Sequence, residues 1–307
     1  MWTIDTLGDG ASSVLNDVAI VNDTLIYAVG EIYLKDSTGQ IDPLRYNLAI
    51  WNGTKWTLQR LPYNYQGQQF VHPIQAVFDK GADDIWFGGN GVIHWNGIQF
   101  VEMPIPPGVW GAYRVNKIWG NGQDTYIVGD GGSLAHFNGS TWTKVESGTS
   151  VDVQDVWGTT DWVLAAVSYV AQFGEHMILR VGETGVDSIP WGTGRRVHSV
   201  WFEDPTLVFT AGGGVHTKMG DDPWKEVTEL PLIYTRRVRG DSKNDIVVAG
   251  DFGYLAHYNG STWKYYTGSD LPSLPNGSYS SMSIRQNMIV AVGFDGDRAL
   301  AIVGLRQ

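Results

Sequence analysis

The pentapeptide Asn138-Gly139-Ser140-Thr141-Trp142 returns unchanged as Asn259-Gly260-Ser261-Thr262-Trp263. Asn52-Gly53-Thr54-Lys55-Trp56 is a weaker copy, and after Asn96-Gly97 a phenylalanine, Phe100, takes the tryptophan's place. The aromatic positions 56, 100, 142 and 263 are separated by 44, 42 and 121 residues, and the last interval holds three steps with Trp224 on the second. The spacing predicts a repeat of roughly 40 to 45 residues.

A second marker counts the repeats independently. Val115-Asn116-Lys117-Ile118-Trp119, Val153-Gln154-Asp155-Val156-Trp157 and Val197-His198-Ser199-Val200-Trp201 share one form, with degenerate copies at Leu15–Ala19, Ile74–Phe78, Thr235–Arg239 and Ser281–Arg285. The residue before the final position falls at 18, 77, 118, 156, 200, 238 and 284, with gaps of 59, 41, 38, 44, 38 and 46; returning from 284 through the C-terminus to 18 takes 41. The pattern closes on itself seven times.

Each unit continues with short apolar runs rich in Val, Ile, Tyr and Trp, such as Leu25 to Gly30, Ile246 to Gly250 and Ile289 to Gly293. Their length and β-branched content mark strands. Asn-Gly between the third and fourth runs is the signature of a type I′ hairpin turn, which needs positive φ at both central residues. No stretch keeps a 3.6-residue apolar period long enough for a helix. The chain ends after a third run, Ala299 to Val303, and Met1-Trp2-Thr3 reads like the fourth-run sequences Trp56-Thr57 and Trp142-Thr143. The N-terminal strand is therefore expected to complete the last sheet, which removes an exposed edge.

Seven four-stranded units closed in this way resemble a seven-bladed β-propeller, all-β, spanning residues 1–307 as one domain. Blades are expected near 12–62, 71–106, 111–148, 151–190, 195–231, 233–272 and 277–307, with residues 1–7 as the outer strand of blade seven. The wording V-W-G, then D-I-x-x-x-G-x-x-G, then N-G-S-x-W resembles secreted bacterial propellers of the two-component-regulator and photosystem-assembly-factor types. It is more distantly similar to tectonin-type lectins. The resemblance implies an extracellular or periplasmic location and the binding of a protein or a sugar.

Composition narrows the chemistry. The 307 residues include no cysteine, which removes disulfides, thiolate metal sites and thiol nucleophiles. Lysine and arginine number 21 against 32 acidic residues, a net charge of −11, which disfavours nucleic acid because phosphate binding needs basic surface. No apolar run is long enough to span a membrane, and the first residues carry no export signal of their own. Nucleophile-elbow, phosphate-loop and metalloprotease motifs are missing from the sequence. Asp295-Gly296-Asp297, Glu203-Asp204 and Asp221-Asp222 read as polar turns. His94, His136 and His257 recur two places before the Asn-Gly turn, a spacing that spreads them over separate blades. They are expected to pack, not to converge on a metal, and no cofactor is expected.

Candidate sites lie where the repeat breaks. The first gap of 59 is lengthened by residues 31–47, which contain Tyr46, and the connection 63–70 contains Tyr63 and Tyr65. Trp110 and Tyr113, Tyr169 and Phe173, and Trp191 occupy equivalent connections. Such aromatics beside amides suit a glycan or an extended peptide; the other reading is that these loops only cap the propeller. Arg114, Arg195, Arg196, Arg236, Arg237, Arg239 and Arg285 gather at the innermost strands. Either they hold an anionic group or they pair with inner-strand carboxylates such as Asp17, Asp152 and Asp155. The leading expectation is a non-catalytic binding or scaffold propeller recognising a glycan or protein segment through Tyr46, Tyr63, Tyr65, Trp110, Tyr113, Trp191, Arg195, Arg196 and Arg236. The alternatives are a glycan-processing hydrolase or lyase and a structural subunit of an extracellular assembly. Oligomeric state is not readable from the sequence.

Overall fold

The computed structural model describes residues 2–65, 67–169, 175–182, 185–266 and 268–305, with the backbone alone for Tyr65. The chain is all-β: seven four-stranded antiparallel sheets form the blades of a seven-bladed β-propeller, with one further two-stranded hairpin. Among the described residues the only helical turn is the short Asp130–Gly132. No helix is long and apolar enough to cross a membrane. The chain divides into two compact units, Met1–Met103 with Ala249–Leu255 and Tyr266–Gln307, and Pro104–Val248 with Ala256–Tyr265.

In the first unit the seventh blade is made from both ends of the chain. Strand Trp2–Leu7 pairs antiparallel with Arg298–Leu305, Trp2 opposite Gly304. A Cβ on Gly304 would lie 2.2 Å from the Trp2 ring, so the glycine seats the indole. Tyr266 closes over it edge-on at 5.2 Å.

The inner strand of most blades carries a bulge at the same place: between Leu15 and Asp17, Val115 and Lys117, Val153 and Asp155, Val197 and Ser199, and Tyr279 and Ser281. This bulge corrects the sequence register of blade seven. Tyr279 to Ser283, not Ser281 to Arg285, corresponds to Val115 to Trp119, which moves the marker from 284 to 282. Blade seven has no tryptophan at the marker, so side-chain type alone could not fix its register.

Opposite the bulges of blades one, three, five and seven stands a glycine of the second strand, whereas blade four has Val167 there. A Cβ on Gly30, Gly129, Gly212 or Gly293 would fall 1.9 to 2.3 Å from a carbonyl oxygen of the inner strand. A side chain there has no room, and the recurring glycine follows. The tryptophan of V-W-G has a similar cause. Trp119 of blade three rests on Gly158 of blade four, and Trp201 of blade five on Gly240 of blade six, each where a Cβ would stand 2.6 Å from the ring. Blade five has Phe202 where the glycine would be, so the Trp157 indole remains only half-buried and donates instead to the Phe202 carbonyl at 3.0 Å.

The Asn-Gly connections differ from the expected type I′ turn. Phe137 pairs with Trp142, which leaves a four-residue loop. Gly139 has φ +89°, whereas Asn138 is not among the residues with positive φ. The asparagine acts through its side chain: Asn138 Oδ1 accepts the backbone N–H groups of Ser140 (3.0 Å) and Thr141 (2.9 Å), and Asn259 repeats this with Ser261 and Thr262. This is Asx-turn chemistry. The three recurrent histidines each bond an aspartate at the start of the second strand, His94 with Asp84 (2.8 Å), His136 with Asp124 (2.6 Å) and His257 with Asp245 (2.6 Å). Among the described residues no cluster of His, Cys, Asp or Glu could hold a metal ion.

Candidate functional site

The inner strands of the second unit sort its arginines into two groups. Asp155, fully buried on the inner strand of blade four, is bidentate with Arg239 (2.7 and 2.9 Å) and also meets Arg237 at 2.9 Å. It further accepts from Ser199 Oγ (2.6 Å) and from the Val200 N–H (3.0 Å), so it ties the inner strands of blades four, five and six together. Burial works against its charge, but Arg239 and then Arg237 outweigh it and hold the carboxyl far below the usual carboxylate range. Arg114 pairs with Asp130. In the first unit Arg285 pairs with Asp79, and Asp17 repeats the Asp155 role by accepting from Ser281 Oγ (2.6 Å) and the Val77 N–H (2.9 Å). Arg237 and Arg239 thus answer the inner-strand Asp155, one of the expected carboxylates, while Arg285 takes Asp79 and Arg114 takes Asp130 in the turn after the second strand.

Arg195, Arg196 and Arg236 form the second group. Thr235, at the start of the inner strand Thr235–Ser242, accepts the Gly212 N–H at 2.9 Å. Gly213 bridges to Tyr234 and donates its N–H to the Arg196 carbonyl at 2.9 Å. These bonds set the entrances of blades five and six side by side. The Tyr234 ring consequently has two guanidinium groups near it, Arg196 at 6.0 Å and Arg236 at 5.6 Å. Arg195 lies 3.8 Å from Glu226, whereas Arg196 has no ion-pair partner among the described residues.

Burial, and after it the nearby guanidinium groups, disfavour the charged form of the histidines beside this group. His198 donates from Nδ1 to the Arg236 carbonyl at 2.9 Å. Burial first, then Arg237 and Arg236, lower its pKa from 6.5 to about 3. His176, 2.8 Å from Ser168 Oγ, is lowered by burial and by Arg196. Exposed Tyr169 and Leu232 flank these elements in sequence and add apolar surface. The ensemble is a cationic, aromatic face with one uncompensated arginine, suited to a carboxylate-bearing ligand.

The other expected site residues are placed as follows. Trp191 is buried, donates to the Arg195 carbonyl at 2.6 Å and packs against His216 and Trp224. It therefore supports the arginine turn from beneath. Trp110 lies over Gly129, and Tyr113 is 76% exposed. In the first unit Tyr46 is covered by the Arg60 guanidinium at 4.1 Å, and Arg60 in turn pairs with Asp42 at 2.7 Å. Arg45 pairs with Glu31 at 2.8 Å, so the 31–47 insertion is held by its own polar contacts. The connection 63–70 is a short hairpin, Tyr63–Tyr65 against Gln68–Phe70. The Tyr63 ring is part of the core, against Gly91 and beside Ile74 and Phe87. The Tyr65 side chain and Phe173 lie outside the described residues. Sequence reasoning passed over Tyr234 and His176. The signal for Tyr234 was its place directly before the Thr235-Arg236-Arg237 inner strand.

No protein-family model matches the chain, and no curated protein matches it significantly. Solved structures do. YCF48 bound to D1 peptide superposes with a TM-score of 0.73 at 14% identity, covering 100% of this chain and 97% of that one. YCF48 from Cyanidioschyzon merolae gives 0.66 at 13% identity, covering 99% and 98%. The WD40 propeller domain of Doa1 gives 0.65 at 15% identity, covering 97% and 95%. At such identities the likeness establishes the propeller fold, and function has to be argued from the site.

Proposed function

We propose that this chain is a non-catalytic binding propeller whose basic face at the entrances of blades five and six takes an extended protein segment bearing acidic side chains. The observation that carries this reading is Arg196, charged and unpaired among the described residues, with Arg236 beside the same Tyr234 ring in a protein of net charge −11. A part-exposed arginine without an internal partner keeps its planar fork of donors available to a carboxylate on a ligand. Tyr234, Tyr169 and Leu232 offer the apolar contact that anchors a peptide. A structurally similar propeller has been solved with a peptide bound, which supports the same class of ligand. Export from the cell belongs to this reading and rests on the blade wording alone.

Fluorescence anisotropy with an array of acidic and charge-neutralised peptides tests it. Acidic peptides are expected to bind, more weakly as salt rises, and Arg196→Glu is expected to abolish binding while leaving the thermal midpoint unchanged. Equal binding of neutralised peptides, or indifference to Arg196→Glu, would refute the assignment.

A further inference from the structure

A second feature of the same unit has no part in that reading. Between blades four and five lies an open groove of about 620 Å³, within the span of roughly 300–1,000 Å³ common for small-molecule sites. Its origin is local. The outer strand of blade five is only Lys225–Glu226, preceded by Pro223, which has no N–H to extend the pairing. The truncated strand leaves the flank of blade four uncovered.

The groove combines indoles with unspent carboxylates. Trp224 is held in place by its Nε1–H bond to the Pro190 carbonyl at 3.1 Å and by the edge of Trp191 at 4.9 Å. Also lining the groove, the Arg180 guanidinium lies over Trp162 at 4.0 Å. Lys218 is consumed by the carbonyls of Gly220 (2.7 Å) and Asp222 (2.6 Å), and Asp222 pairs with Lys225 at 3.1 Å. Asp187 and Asp221 remain without a hydrogen-bond or ion-pair partner among the described residues. The lining thus offers acceptors distributed over a largely apolar floor, and Arg180 offsets much of their charge.

We infer that this groove is a saccharide site for a neutral glycan. A pyranose ring presents an apolar face to Trp224 while its hydroxyls donate to Asp187 and Asp221 and accept from Arg180. An acidic ligand meets two free carboxylates, and a purely apolar one leaves them unsatisfied against it. The groove shares with the arginine face only Trp191, which supports both, and takes its ligand through other side chains.

Tryptophan fluorescence follows binding directly, because the indoles line the groove. The purified protein is titrated with cello-, xylo-, manno- and laminari-tetraose, with trigalacturonate as the acidic control and an acidic peptide as the protein control. At least one neutral tetrasaccharide is expected to saturate the signal. Trp224→Ala, and separately the double variant Asp187→Asn with Asp221→Asn, are each expected to weaken it by roughly tenfold or more. The two carboxylates are exposed, so the double variant keeps its fold, and its thermal midpoint verifies this. Arg196→Glu is expected to leave the saccharide titration unchanged. Saturation by trigalacturonate or the peptide alone, no saturation by any neutral tetrasaccharide at roughly 10 mM, or an unaltered affinity in the double aspartate variant would overturn the proposal.

Discussion

Arg237 contributes to keeping Asp155 charged and His198 neutral. Asp155 is buried and His198 partly so, and burial penalises the charged form of each. For Asp155 the opposite charges of Arg239 and Arg237 outweigh that penalty, whereas for His198 the like charges of Arg237 and Arg236 add to it. The signs lead to a pH prediction. His198 in the folded protein titrates at about 3 against an ordinary 6.5, so between those values the unfolded chain binds more protons than the folded one. Stability contributed by the neutral imidazole is present above pH 6.5 and drains away as pH falls toward 3. Asp155 adds to acid lability only below its own ordinary range. His198→Asn removes the titrating ring and keeps a donor. Asn16 and Asn116, at the same place in their inner strands, already donate to the next strand's carbonyls. Urea denaturation of His198→Asn between pH 7 and 4 is expected to show a flatter loss of stability than the parent; parallel slopes would remove His198 as the cause.

At the scale of the strand, the second-strand glycine and the bulge it faces form one device in blades one, three, five and seven. The inner-strand carbonyl occupies the space of the missing Cβ, so the glycine is required by contact and not by backbone freedom. Gly293→Ala places a methyl 1.9 Å from the Ser278 oxygen and is expected to cost about 1–3 kcal/mol through forced backbone movement. Gly182→Ala, whose Cβ would meet the Gly185 oxygen at 3.4 Å and nothing nearer among the described residues beyond its chain neighbours, serves as the near-neutral comparison. The measurement is the denaturant midpoint of each. The same scale explains what the sequence disclosed. V-W-G and N-G-S-T-W were visible because one contact recurs in several blades and selects one residue type each time. The asparagine's role was misread because Asn-Gly suits two loop types, and only the pairing of Phe137 with Trp142 separates them.

For the molecule as a whole, the number of sheets followed from spacing and the origin of the last one from the likeness of Trp2-Thr3 to the fourth-run sequences, because a repeat constrains every position at once. The site was less legible. Seven arginines looked alike in sequence, yet Arg237 and Arg239 are spent on Asp155 while Arg196 is not, a division that depends on contacts between strands distant in the chain. Trp224 appeared only as a repeat marker, and the groove beside it arises from a strand that stops short. Loss of the terminal pairing gives the fold-level prediction. Deleting residues 2–7 bares the Arg298–Leu305 edge and the seat of Trp2 at Gly304. The expected result is a lower thermal midpoint and concentration-dependent association by light scattering, since an unpaired strand edge recruits other chains. A monomeric product of undiminished stability would contradict the role given to that strand.

The pairing of Trp2–Leu7 with Arg298–Leu305 also orders events during synthesis. Strand Trp2–Leu7 is synthesised long before its partner Arg298–Leu305, so the blade that contains both is assembled only once that later strand has been made. Until then the tryptophan-bearing segment is an unclaimed ribbon. A cell producing this protein must keep that ribbon from finding the wrong neighbour.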